Sequence, residues 1–378
     1  MQLGIYVHLP FCPYICPYCD FAKWPMRRSR ASSYLQALEA EINAAPSEPA
    51  ATIFYGGGTP NAYAADEIAS LTRLLRERFP NPHAAHEISI EVNPELVRQT
   101  DFEGYVAAGI NRVSIGVQSF VEPEIAILGR KHTAQQVERV VALARAAAVR
   151  SLSLDLIFAV PGQTARSWEH SLEAAIDLGV DHISTYGLTI EAGTPYESWY
   201  ARDPAAFAGN DLEGELYGMA IDRLERAGYE QYEISNFARP GHRCAHNENY
   251  WRNGEYIGFG VGAASYRGGE RRVHTRELEK YLAAAASGGP IPGEAERLAG
   301  IEVVGEAVMI ALRTAQGVAL GEFKERYGVD VAERYAPIVA RYQSDGLLER
   351  RDDRLMLTRR GRFLANDVCG AFVTYSDP

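Results

Sequence analysis

Ile5-Tyr6-Val7-His8-Leu9-Pro10-Phe11-Cys12-Pro13-Tyr14-Ile15-Cys16-Pro17-Tyr18-Cys19 is the stretch from which the rest of the chain is read. Its first five residues form a short apolar run with β propensity, which reads as a strand. The strand then delivers three cysteines in the spacing C-x3-C-x2-C, stiffened by Pro13 and Pro17. Thiolates are the usual ligands of iron–sulfur clusters, and four of them saturate a cubane. Three leave one iron free to bind something else, so the loop points to a [4Fe–4S] cluster on Cys12, Cys16 and Cys19. A zinc site would more often show two C-x2-C pairs or added histidines. His8 is the only nearby candidate for a further ligand.

Strand-like and helix-like stretches alternate downstream of this loop. The strand candidates are residues 3–9, 52–55, 87–92, 112–117, 151–158 and 182–188. Helical periodicity falls at 33–44, 64–78, 135–148 and 165–178; in the second, Ile68, Leu71, Leu74 and Leu75 share a face. Repeated β-α units predict a parallel sheet with right-handed crossovers. Six of them predict an α/β fold, a partial (β/α)6 TIM-like barrel, with function at the C-terminal ends of the strands.

Beyond the barrel, 211–227 reads as a helix, 229–235 as a strand and 240–269 as irregular, rich in aromatics and glycine. The run Ser287-Gly288-Gly289-Pro290-Ile291-Pro292-Gly293 reads as a domain break. Helices are expected at 295–313, 320–327 and 331–345, and a charged hairpin at 347–357. The expected division is a barrel over 1–235, an extension over 236–290 and a winged-helix-like domain over 294–378.

The chain has 378 residues and a net charge of -11, with 47% hydrophobic and 23% charged residues. That is ordinary globular composition. The acidic balance argues against a nucleic-acid partner, which needs a positive field, and so favours a packing or lid role for the C-terminal domain. No apolar run is long enough for a transmembrane helix. Residues 1–8 read as a strand rather than a signal peptide. Five cysteines, three of them clustered, make a poor disulfide framework and fit a reducing, cytoplasmic setting.

Polar residues recur where strands end. The second strand runs into Gly56-Gly57-Gly58-Thr59-Pro60, where backbone can approach a ligand with no Cβ in the way. Glu91, Gln118 and Asp155 sit near the ends of apolar strands, where burial without partners would be costly. Their groups can accept hydrogen bonds from ribose hydroxyls or an amino group, and Arg130 can hold a carboxylate. Each alone could equally be a solvated loop-end group or a cap.

Together these residues resemble the oxygen-independent coproporphyrinogen III oxidase branch of the radical S-adenosylmethionine (SAM) superfamily. The resemblance runs from Tyr6 to about Tyr266 and more loosely beyond. It implies that SAM occupies the free iron, with Tyr6, Gly57 and Glu91 contacting SAM. It also implies that Tyr18, Gly58, Thr59, Gln118, Arg130, Asp155 and Thr189 line a second SAM or substrate pocket. No catalytic residue is assigned.

Two departures point to a sister family of heme chaperones. Phe21 stands where the oxidases carry a further cysteine, and the chain begins at its first strand without a long extension. His246-Asn247-Glu248-Asn249-Tyr250-Trp251 is an H-N-x-x-Y-W motif, which in that family is associated with heme. His246 would ligate iron, with Cys244 as a rival, while Tyr250 and Trp251 would pack on the porphyrin. Arg239, Arg243 and Arg252 would meet propionates. The other reading makes His246 a loop histidine and Tyr250 and Trp251 core anchors. The resemblance implies binding of heme, delivery to apo-hemoprotein acceptors, and room for a homodimer. The alternative is radical decarboxylation of coproporphyrinogen propionates to vinyls.

Overall fold

The computed structural model describes residues 3–81 and 87–373. Its six leading strands are β1 (Gly4–Leu9), β2 (Thr52–Gly57), β3 (Glu87–Val92), β4 (Arg112–Gln118), β5 (Ser151–Phe158) and β6 (His182–Gly187). They pair in sequence order, all parallel, as a β-α repeat requires. The expected α/β architecture, a partial (β/α)6 barrel with a small C-terminal winged-helix-like domain, is therefore present. Met1 and Gln2, at the head of the expected first strand, lie outside the described residues, as do residues 374–378 at the end of the expected last domain.

Alternation along β1 shows how the layers form. Ile5, Val7 and Leu9 are fully buried against the helices, while Tyr6 and His8 share the opposite face, which looks into the barrel. The outward faces of β2–β6 repeat this with Ile53, Ile90, Ile115, Leu154 and Ile183, all fully buried. Helices α1 (Arg28–Ala44), α2 (Ala65–Arg78), α3 (Gln99–Ala108), α4 (Glu122–Ile127), α5 (Ala134–Ala146) and α6 (Ala165–Asp177) follow the strands, and α7 (Pro195–Arg202) and α8 (Asn210–Arg226) come after β6. The Thr133 and Thr164 hydroxyls cap α5 and α6 by accepting from Gln136 and Ser167 N–H groups.

The sheet continues past the repeat, and here the structure departs from expectation. Residues 229–235 do not form one strand; they give β7 (Glu230–Gln231), which turns back to pair antiparallel with β8 (Asn236–Ala238). The stretch 240–269 is not irregular. It holds α9 (Ala245–Trp251), then β9 (Tyr256–Phe259), parallel to β1, and β10 (Ala264–Arg267). β11 (Glu270–His274) and, after α10 (Leu278–Ser287), β12 (Gly293–Arg297) extend this edge antiparallel, giving a 12-stranded sheet. The helix expected from 295 therefore starts only at Ile301, as α11 (Ile301–Leu312), and the turn-rich break does not end the sheet.

A second hydrophobic core begins at Val304. It carries a three-stranded sheet of β13 (Val318–Ala319), β14 (Leu348–Arg351) and β15 (Arg354–Leu357), flanked by helices. No helix among the described residues is long and apolar enough to cross a membrane.

Candidate cluster and ligand site

The far end of the cysteine loop is fastened back to its own beginning, just past β1, and to His8 on β1. Trp24 N–H donates to Pro10 C=O at 3.0 Å and Met26 N–H to Cys12 C=O at 2.7 Å. His8 Nε2 lies 2.7 Å from Ala22 C=O, and only a protonated Nε2 can make that bond. Nδ1 is then the acceptor for Tyr6 O–H at 3.0 Å. Burial lowers the His8 pKa to about 4, so this neutral tautomer persists at neutral pH. His8 is thus a staple for the loop rather than a metal ligand.

The glycine run is demanded by the same packing. Gly57 has φ +110°, and a Cβ there would come within 2.5 Å of the His8 ring. A Cβ on Gly58 would meet the Pro10 carbonyl group at 2.6 Å. These glycines let β2 end directly beneath the loop that bears Cys12.

Cys12, Cys16 and Cys19 open onto one cavity of about 380 Å³ at the C-terminal ends of the strands. All five cysteines carry free thiols. The donor set fits a cubane cluster with one iron left over. Among the described residues no three histidine, cysteine or carboxylate side chains converge on a single point, the three loop thiols included; the thiols share a cavity wall. Gly57, Gly58, Thr59, Glu91, Tyr18 and Thr189 stand on the wall of the same cavity. Gln118, Arg130 and Asp155 join them. Tyr6 does not line it; its hydroxyl is taken by His8.

Gln118 holds a left-handed backbone, φ 66°, at a register shift between β4 and β5, an uncommon conformation for a residue with a side chain. Arg130 is fixed by Asn93 Oδ1 at 2.8 Å and Gly116 C=O at 2.7 Å, with Cys16 Sγ at 3.9 Å. Its Nε is buried without a partner, which suits an anionic ligand group. Asp155 accepts the Ser114 hydroxyl on both oxygens, at 3.0 and 2.9 Å. Burial, with the Asp155 charge adding, pushes the Glu91 carboxyl up to about 8. Burial pushes the Cys12 thiol up to about 11, so a bound metal would have to displace its proton.

Sequence reasoning missed Asn93 and Tyr186. Asn93 orients Arg130, and Tyr186 lies on the cavity wall. Asn93 follows Glu91-Val92 at a strand end, the same signal that singled out Glu91.

His246 lies elsewhere. It faces the first residue of β2, Thr52, while Gly57 at the last residue walls the cysteine cavity; the strand rise separates them by about 16 Å. His246 Nδ1 bonds Thr52 Oγ1 at 2.8 Å and Nε2 bonds Tyr250 O–H at 2.8 Å, and its ring stacks on Phe54. Both ring nitrogens are engaged and the residue is buried, so in this arrangement the imidazole serves the packing of α9 on β2 and offers no free nitrogen to an iron. Cys244 is buried beside Glu87, and burial pushes its thiol up to about 12. Arg239 lies over the Tyr229 ring, while Arg243 and Arg252 pair with Glu248.

Comparison with known proteins agrees with this geometry. Residues 6–175 match the radical SAM superfamily model, and residues 298–364, starting just after β12, match the HemN C-terminal domain. The heme chaperone HemW of Bacillus subtilis is 33% identical over 372 residues, covering 97% of this chain and 98% of that protein. The heme chaperone HemW of Mycobacterium tuberculosis H37Rv is 35% identical over 378 residues, covering 97% and 93%. Among solved structures, coproporphyrinogen III oxidase (HemN) from Escherichia coli, a radical SAM enzyme, superposes with TM-score 0.85 at 26% identity, covering 99% of this chain and 91% of that one. Radical SAM membership implies a [4Fe–4S] cluster and SAM. Three thiols in the C-x3-C-x2-C loop, the six-strand parallel repeat and the full-length similarity converge, and the chain belongs to the radical SAM superfamily and, within it, to the HemW family.

Proposed function

We propose that the chain is a cytoplasmic heme chaperone that holds a [4Fe–4S] cluster on Cys12, Cys16 and Cys19, binds SAM beside it, and carries heme to apo-hemoprotein acceptors. The observation that carries this reading is end-to-end similarity to proteins named heme chaperones. Phe21, in place of a further cysteine, supports it.

The cluster, when bound, supplies a one-electron donor and an open iron vertex for SAM. Around it, the Glu91 carboxyl accepts from an ammonium group, and the glycine run offers bare backbone to the same part of the ligand. Arg130 Nε meets a carboxylate, Asp155 and Gln118 accept ribose hydroxyls, and Tyr18, Gly58, Thr59 and Thr189 complete the wall. Tyr6 acts through His8, which keeps the loop seated. The chain divides functionally into the barrel, the extension carrying α9, and a C-terminal unit.

A second reading, coproporphyrinogen III oxidase, is favoured by the superposition on HemN. One paired assay separates them. Anaerobically reconstituted protein is titrated with hemin, and the same preparation is given coproporphyrinogen III, SAM and a reductant. A shifted Soret band, heme transfer to an apo-globin and no vinyl product are expected. Vinyl formation without hemin binding overturns the chaperone reading.

A further inference from the structure

Beside the cysteine cavity lies a second hollow of about 470 Å³, and Asp20 and Phe21 stand on the walls of both. It sits between the end of the cysteine loop, the C-terminal end of α9, the sheet extension and α11. Its size falls within the range of organic-ligand sites, and so does its make-up: aromatic faces with a few charged groups. Phe21 projects at 58% exposure, Tyr250 and Trp251 come from α9, and Tyr256 and Tyr266 from β9 and β10.

Two arginines reach this wall. Arg271 is held by Glu306 at 2.8 Å and lies over the Tyr266 ring, 6.0 Å from its centre. Arg276 donates to the Asp20 backbone carbonyl, and among the described residues it meets no carboxylate. Asp20 is the one acidic side chain on the wall. The hollow therefore joins a broad aromatic surface to two guanidinium groups, Arg276 with no carboxylate partner among the described residues and Arg271 shared with Glu306.

We propose that this hollow seats a planar tetrapyrrole carrying carboxylates, its ring on the aromatic wall at Phe21 and Trp251 and its carboxylates at Arg276 and Arg271. For the identity of that ligand as heme, the inference rests on the chaperone reading above. The motif helix takes part through Tyr250 and Trp251, since His246 does not reach the hollow. A rival cavity of about 630 Å³ lies between α9 and the C-terminal unit, its wall carrying Arg243, Arg252, Arg326 and Arg354. There Arg243 pairs with Glu230 and Glu248 and Arg252 with Glu248, Arg326 and Arg354 donate to backbone carbonyls, and the carboxylates of Glu248 and Glu322 stand on the wall itself, where they would repel a carboxylate ligand.

Hemin titration of the full-length, reconstituted protein tests the assignment. The Arg276→Glu and Phe21→Ala variants should each weaken hemin binding about tenfold or more, since one loses a charge-assisted contact and the other an aromatic face. Iron content and SAM binding of Arg276→Glu should match wild type. Hemin dimethyl ester should bind wild type more weakly than hemin and should bind Arg276→Glu no worse than wild type. Arg252→Glu should leave hemin affinity unchanged. Full affinity in both test variants, or loss only in Arg252→Glu, overturns the assignment. Wild-type protein that binds no hemin at all overturns the chaperone reading itself.

Discussion

Gly57 meets two independent demands, a left-handed backbone and the absence of a Cβ against the His8 ring. Replacing it with alanine adds both penalties, so Gly57→Ala should destabilise the apo protein by about 2–4 kcal/mol in a denaturant titration. It should also lower iron uptake, because the ring it displaces fastens the cysteine loop. Glu91 makes a different kind of prediction. Its carboxyl is raised from 4.5 to about 8, so the folded state binds a proton that the unfolded state releases. Stability from this group is full below about 4.5 and is lost as pH rises through about 8. Glu91→Gln removes the titration. The variant should match wild type near pH 4 and exceed it by roughly 1–3 kcal/mol at pH 8 in the absence of ligand.

At the scale of elements, α9 is the least expected piece and the most heavily anchored. The Glu87 carboxylate accepts from Ala245 N–H at 3.1 Å and His246 N–H at 3.0 Å, placing negative charge at a helix N-terminus. Glu87→Gln keeps the shape but loses the charge and one strong acceptor. It should cost about 1–2 kcal/mol, and amide exchange over residues 245–251 should accelerate before that of the barrel strands. His246→Ala leaves Thr52 and Tyr250 hydroxyls unpaired and opens space beside Phe54. A fall in stability of about 2–4 kcal/mol is expected in hemin-free protein, measured by thermal melting. An unchanged melting temperature would contradict the structural role given to this histidine.

At the scale of the molecule, the C-terminal unit is tied to the sheet extension by few but directed contacts. Arg271 on β11 pairs with Glu306 on α11, a residue only 9% exposed, and Arg326 donates to the Arg252 and Asn253 carbonyls just past α9. Removing one partner of such a pair leaves the other charge poorly solvated. Glu306→Ala should loosen the unit by about 2–3 kcal/mol and speed proteolysis near residues 298–300 while the barrel stays folded. The same substitution frees Arg271 beside the hollow.

The strands β1 and β3–β6 and the cysteine loop could be read locally. Their apolar runs are buried on at least one face in a parallel sheet, and loops at strand ends follow from β-α alternation. That is why Cys12, Glu91, Gln118 and Asp155, all placed at strand ends, line one cavity. α9, the β7–β8 turn and strand β12 were hidden because long-range partners make them: Glu87 for the helix, β6 for β8 and β11 for β12. His246 is the sharpest case. Its sequence advertises a free imidazole, yet Thr52, 194 residues away, and Tyr250 take both nitrogens. The spacing of the thiols and the order of the strands are properties of neighbouring residues, and the sequence alone determined them. Which polar groups were left free to meet a ligand was decided by pairings across the fold, because a hydrogen bond is spent wherever the chain brings its partner.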